Sequence, residues 1–93
     1  MFSPARTSIR KRRSNIRQHG IDFVDVDEVF AGDTITFLDD RYDYGETRFL
    51  SFGLLWGEVV AIVHIETDEV IRVISIRRAS KDEEETYFKE VRD

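Results

Sequence analysis

The sequence predicts an α+β domain in which helices pack on a four-stranded antiparallel sheet, in the order ααββββα. Three observations predict it. Apolar residues recur at helical spacing near both ends of the chain. β-Branched and aromatic segments fill the middle. The connections between those segments are short enough to join antiparallel neighbours. The chain has 93 residues, 41% hydrophobic and 12% aromatic, which suits one small core. A single domain over residues 1–93, led by a basic segment 1–17, is the expectation.

Residues 8–18 read as a helix whose apolar seam is thin, with Ile9 and Ile16 alone at helical spacing, so it must lean on the rest of the fold. His19-Gly20 ends it, glycine being the usual residue just past a helix end. Asp22 is placed to cap the next helix, and Ile21 and Val26 stand at the positions of a hydrophobic staple. Phe23, Val26, Val29 and Phe30 share a face of that helix, and Gly32 stops it. Strands are expected at 34–38, 47–55, 58–65 and 70–76. A polar loop at 39–45, a Trp56-Gly57 turn and a Glu66-Thr67-Asp68-Glu69 turn join them. Simple alternation in the last strand puts Ile71, Val73, Ser75 and Arg77 on one face. Val70, Arg72, Ile74, Ile76 and Arg78 fall on the other. Both faces are largely apolar, which predicts a central strand covered on both sides. Ser80-Lys81-Asp82-Glu83 is a capping box opening a last helix, with Tyr87, Phe88 and Val91 as its buried face.

The net charge of -5 conceals an asymmetry. Residues 1–17 carry six basic side chains and no acidic one, whereas the rest of the chain is acidic. A basic block on an acidic body is a candidate polyanion contact; a solvated charged face is the plain alternative. With 0 Cys the sequence excludes disulfides, thiolate metal sites and cysteine nucleophiles. No apolar run approaches the roughly 20 residues of a spanning helix, and the basic N-terminus lacks the apolar stretch of a signal peptide. No membrane association and a cytoplasmic location are therefore expected. His19 and His64 have no His or Cys partner at ligand spacing, so neither a metal nor another cofactor is expected. There is no glycine-rich phosphate loop, and no Ser, His and acid grouping singles itself out. The aromatics Tyr42, Tyr44 and Trp56 fall in or near turns, where they either stack bases or pin hairpins.

Charged residues on the strands are the candidates for chemistry. Arg77 and Arg78 end the last strand and have two readings: structural pairing with Glu46, Glu66 or Glu83, or a phosphate clamp, because the guanidinium fork matches phosphate geometry. Glu46 and Arg48, two apart on a strand, can pair on one face. Glu66 is either another ion-pair partner or a general base.

Three stretches together resemble the BrnT family of bacterial type II toxins. They are Asn15-Ile16-Arg17-Gln18-His19-Gly20-Ile21-Asp22-Phe23, Asp43-Tyr44-Gly45-Glu46-Thr47-Arg48-Phe49 and Arg72-Val73-Ile74-Ser75-Ile76-Arg77-Arg78-Ala79-Ser80. Glu66, Glu83 and Tyr87 also fall where the family places them, and the resemblance covers residues 11–88. Thr7-Ser8 stand where the family commonly has Trp-Asp, Ile76 replaces a small residue, and Asp82 replaces a basic one.

The resemblance implies a RelE-like fold and a cytoplasmic endoribonuclease that inhibits growth as part of a bacterial stress response. It implies restraint by a BrnA-type ribbon-helix-helix antitoxin in a heterotetramer, with operator DNA bound only through that partner. The catalytic positions it implies are Arg48, Glu66, Arg77 and Arg78, with Lys11 and His19 secondary. Metal-free cleavage needs a base for the 2′-hydroxyl, cations on the phosphate and an acid for the leaving oxygen. Arg77, Arg78 and Arg48 suit the second role and Glu66 the first, while His19, His64 and Tyr87 are open alternatives for the acid. Lys11, Arg13, Arg17 and His19 would then track the RNA backbone or, equally, grip the antitoxin. Acidic residues of segment 22–28 are candidates to receive a basic segment of that antitoxin. The alternative reading is a catalytically silent chain that only binds antitoxin and co-represses its operon.

Overall fold

A computed structural model describes residues 9–40, 43, 45–66 and 71–92. Arg6, Thr7, Ser8, Tyr42, Tyr44 and the turn at 67–69 lie outside the described residues. Helix α1 (Ile9–His19) ends at Gly20, whose φ of 69° lets its N–H return to the Ile16 carbonyl at 2.8 Å. Asp22 caps a 3-10 turn (Phe23–Asp25), accepting from Val24 N–H at 3.2 Å. That turn leads into helix α2 (Val26–Ala31). Strands β1 (Ile35–Asp39), β2 (Arg48–Leu55), β3 (Glu58–Glu66) and β4 (Ile71–Arg78) come next, then helix α3 (Lys81–Arg92).

The expected α+β architecture holds. The strands form one antiparallel meander in sequence order, β1-β2-β3-β4. One face of the sheet carries Leu55, Val60, Ile62, Val73 and Ile76 against Ile21, Phe23, Val26 and Val29. The opposite face carries Phe52, Val59 and Ala61 against Tyr87 of α3. The Ser80–Glu83 capping box forms in both directions, with Glu83 N–H donating to Ser80 Oγ at 3.2 Å and Ser80 N–H to Glu83 Oε1 at 2.8 Å. Tyr87 is buried and its hydroxyl donates to the Asp33 carbonyl at 2.9 Å, tying α3 to the start of β1.

Three expectations are corrected. Strand β4 is an edge strand, not a central one, because a meander leaves its first and last strands at the edges. Its face assignment also changes. Val63 pairs with Ser75 and His64 with Val73, so Ile74 is an extra residue in a bulge. The bulge resets the alternation and turns both Val73 and Ile76 toward the same core. Val91 is 37% exposed, since the sheet-facing packing of α3 ends with Tyr87 and Phe88.

Among the described side chains, polar contacts hold α1. Ile16 is 41% exposed. Asn15 is buried and lies along the β4 edge: its Nδ2 donates to the carbonyls of Ile76 (2.7 Å) and Ile21 (2.8 Å), and its Oδ1 accepts from Ile76 N–H at 3.0 Å. A side-chain amide thus stands where a further strand would otherwise pair. Arg12 forks onto Asp22 at 2.6 and 2.8 Å, and that bond holds the Asp22 carboxyl below its ordinary pKa. Tight packing of α2 on β2 explains Gly53, where a Cβ would lie 2.5 Å from Val29 Cγ1.

Candidate active site

The charged residues singled out in the sequence divide between two ends of the sheet. At the hairpin end, Arg77 and Arg78 are consecutive on β4 and so leave it on opposite sides. Arg77 projects toward α3 and donates both Nη groups to Glu83, at 2.7 and 3.0 Å. That fork, helped by Ser80, holds Glu83 down from 4.5 to about 2. Arg78 projects toward α1, reaching Glu58 through Nε at 3.0 Å and the His19 carbonyl through Nη1 at 3.1 Å. The pairing reading is therefore realised for both arginines, although Arg78 takes Glu58 as partner instead of the three acids considered. Trp56, 65% exposed, sits at the same end in the β2–β3 turn.

The opposite end of the sheet, where β1 leads to β2 and β3 to β4, holds the other candidates. Arg48 starts β2 beside Glu46, 3.3 Å away, and lies opposite the buried Asp39 in the β1–β2 ladder. Ile65 pairs with Arg72, and on the other side Phe49 pairs with His64. Arg48 and Arg72 thus flank Ile65 on the α3 side of the sheet, about 10 Å apart by two strand spacings. Arg72 is exposed, and its side chain has no ion-pair or hydrogen-bond partner among the described residues. Sequence reading passed it over, although it opens the third matching stretch.

Glu66 ends β3 on the α2 side with its carboxylate 42% exposed. It lies six positions along β3 from Val60, the partner of Arg78, a separation of about 20 Å at ~3.3 Å per residue. Glu66 and Arg78 therefore do not reach one phosphate. Arg48 shares its end of the sheet with Glu66. Arg77 shares a sheet face with Arg48 but sits near the other end.

Helix α1 runs beside β4 in the same direction, since Asn15 reaches Ile76 and His19 lies against Arg78. Lys11, half-buried, is thus set back toward the Glu66 end, by about 6 Å for the turn that separates it from Asn15. Arg13 and Arg17 are exposed.

Two of the three acid candidates are enclosed. Tyr87 is buried with its hydroxyl donated to a carbonyl, and burial raises its pKa. His64 is fully buried, and burial lowers its pKa from 6.5 to about 4. Behind Glu66 the structure also brings together a polar line that no sequence spacing announced. Thr36 Oγ1 lies 2.7 Å from Ser51 Oγ, Ser51 Oγ 2.8 Å from His64 Nε2, and His64 Nδ1 3.4 Å from Glu66 Oε1. Ser51 is itself fully buried, which denies it a substrate.

A protein-family model described as the ribonuclease toxin BrnT of type II toxin–antitoxin systems matches residues 9–83. The chain belongs to the BrnT family. No curated relative matches the sequence. The matched region runs from α1 to Glu83, so both ends of the sheet lie within it. As a BrnT chain this is a ribonuclease toxin of a type II system, and its partner is a protein antitoxin. Among the described residues, no helix is long and apolar enough to cross a membrane, and no three acidic, His or Cys side chains are grouped as metal ligands.

Proposed function

We propose that this BrnT chain acts as one domain over residues 1–93 in the cytoplasm. There it cleaves RNA without a metal ion, at the sheet end that carries Arg48, Glu66 and Arg72. The observation that carries this reading is Arg72, a guanidinium in the same row as Arg48 that has no partner among the described residues. Across the rim of the same end, on the opposite face of the sheet, stands the exposed carboxylate of Glu66. Glu66 takes the 2′-hydroxyl proton, the 2′-oxygen bonds to phosphorus, and the bond to the 5′-oxygen breaks. The leaving oxygen takes its proton from water. Arg48 and Arg72 neutralise the charge that builds on the phosphate, and loss of one such donor costs on the order of 100-fold or more in rate. Lys11 lies toward this end. Arg13, Arg17 and His19 lead along α1 to Arg78 and hold flanking nucleotides. Arg77 and Arg78 contribute to phosphate only by exchanging Glu83 and Glu58 for it.

The partner in this reading is a BrnA-type ribbon-helix-helix antitoxin in a heterotetramer, with operator DNA contacted through the antitoxin. Asp25, Asp27 and Glu28 offer it an acidic surface, whereas Asp22 is already held by Arg12.

A second reading is favoured by the occupied forks of Arg77 and Arg78: a catalytically silent chain that binds antitoxin and co-represses its operon. One assay separates the two. The purified chain, freed of antitoxin, is incubated with RNA in EDTA beside Glu66→Gln, Arg72→Ala and Arg77→Ala. The active-site reading expects 2′,3′-cyclic phosphate ends that vanish in the first two variants and persist in the third. Equal cleavage in all four samples would mean contamination and favour the silent chain.

A further inference from the structure

We infer that His64 is a positioning residue for Glu66: from inside the sheet it presents an Nδ1–H to one carboxylate oxygen and leaves the other for substrate. This rests on the reading of Glu66 as the base.

Buried histidines of purely structural kind have both ring nitrogens bonded, because an unpartnered buried polar atom is costly. His64 departs from that. Its ring is sealed by Phe49, stacked at 5.9 Å between centroids, and by Phe30, edge-on at 5.4 Å. Nε2 has Ser51, yet Nδ1 has no hydrogen-bond partner and faces Glu66 Oε1 at 3.4 Å. A small turn of the exposed Glu66 side chain closes that gap.

The direction of the line follows from charge. A lone pair on Nδ1 would oppose the carboxylate oxygen, whereas an N–H attracts it, so the neutral ring carries its proton on Nδ1. Nε2 then accepts from the Ser51 hydroxyl, and Ser51 Oγ accepts from Thr36. Every donor in the line points toward Glu66. Thr36 and Ser51 thereby fix the tautomer, and Phe30 and Phe49 fix the ring plane.

The test uses ¹⁵N-labelled full-length protein and multiple-turnover cleavage of a mixed-sequence single-stranded RNA oligonucleotide. His64→Asn puts an amide N–H near the Nδ1 position, and His64→Gln puts one near Nε2. The expected result is a protonated Nδ1 and bare Nε2 by NMR. His64→Gln should lower kcat about tenfold with KM within about twofold, and His64→Asn should restore kcat to within about threefold of wild type. Circular dichroism confirms that both variants are folded. Equal losses in the two variants, or a proton found on Nε2, would overturn the inference. So would a wild-type rate in His64→Gln while Glu66→Gln is inactive, and in that case the base assignment survives. Full activity in Glu66→Gln removes the base reading and the positioning role together. Should the wild-type chain not cleave, the tautomer decides: Nδ1–H supports the geometry and Nε2–H refutes it.

Discussion

Replacing Asn15 by alanine removes a side chain that closes the exposed edge of the sheet. The native amide makes three hydrogen bonds of 2.7–3.0 Å to backbone groups of Ile76 and Ile21. Each buried backbone group left without a partner costs about 1–3 kcal/mol. Water entering beside the exposed outer face of α1 recovers part of that, so the low end applies, giving about 3–4 kcal/mol for the three. Domains of this size are stable by only about 5–15 kcal/mol. At about 4–8 °C per kcal/mol, the melting temperature should fall by roughly 12–32 °C. Urea titration followed by circular dichroism measures the loss. Asn15→Asp sharpens the test. The introduced carboxyl replaces a donor to two carbonyl oxygens, so its neutral form is favoured and its folded pKa lies above the unfolded value. Stability of that variant should be largest below pH ~4 as far as this group is concerned, and fall as pH rises through the raised pKa. An Asn15→Ala loss under ~0.5 kcal/mol, or an Asn15→Asp variant whose native-carboxyl-corrected stability rises with pH, would refute the account of how α1 is held.

The remaining predictions concern other contacts. Glu83, held at about 2 by Arg77, contributes stability that is present above pH 4.5 and lost as pH falls toward 2. Glu83→Gln should flatten that part of an acid-denaturation curve and cost about 1–2 kcal/mol at neutral pH, after allowance for solvent screening. Gly53→Ala forces a methyl against Val29 and Thr34, at 2.5 and 3.0 Å, and should destabilise by about 1–3 kcal/mol in a thermal melt. Trp56 has φ 52° beside Gly57 at 81°, the geometry of a two-residue hairpin turn that favours Asn-Gly. Trp56→Asn should therefore raise stability by about 1 kcal/mol, and an unchanged or lower melting temperature would contradict the turn assignment.

The sequence alone determined the element order, because its signals are local. The Ser80–Glu83 box and the Trp56-Gly57 turn act within a few residues and form as read, whereas Asp22 caps a 3-10 turn that leads into α2 instead of capping α2 itself. The matching stretches likewise determined the family. Tertiary structure alone decided what faces what. One extra residue at Ile74 resets the alternation of β4, and the apolar pattern of an edge strand bearing α1 resembles that of a central one. Ser51, His64 and Glu66 meet because the β2–β3 register sets Ser51 beside Ile62 and Phe49 beside His64, and register is a property of the pairing instead of either strand. Asn15 looks like an ordinary polar helix residue until the β4 edge arrives beside it. Likewise, which arginines are already held by carboxylates depends on Glu58 and Glu83 being folded against them. Local chemistry chose the elements, while register, bulge and edge chose which side chains share a site.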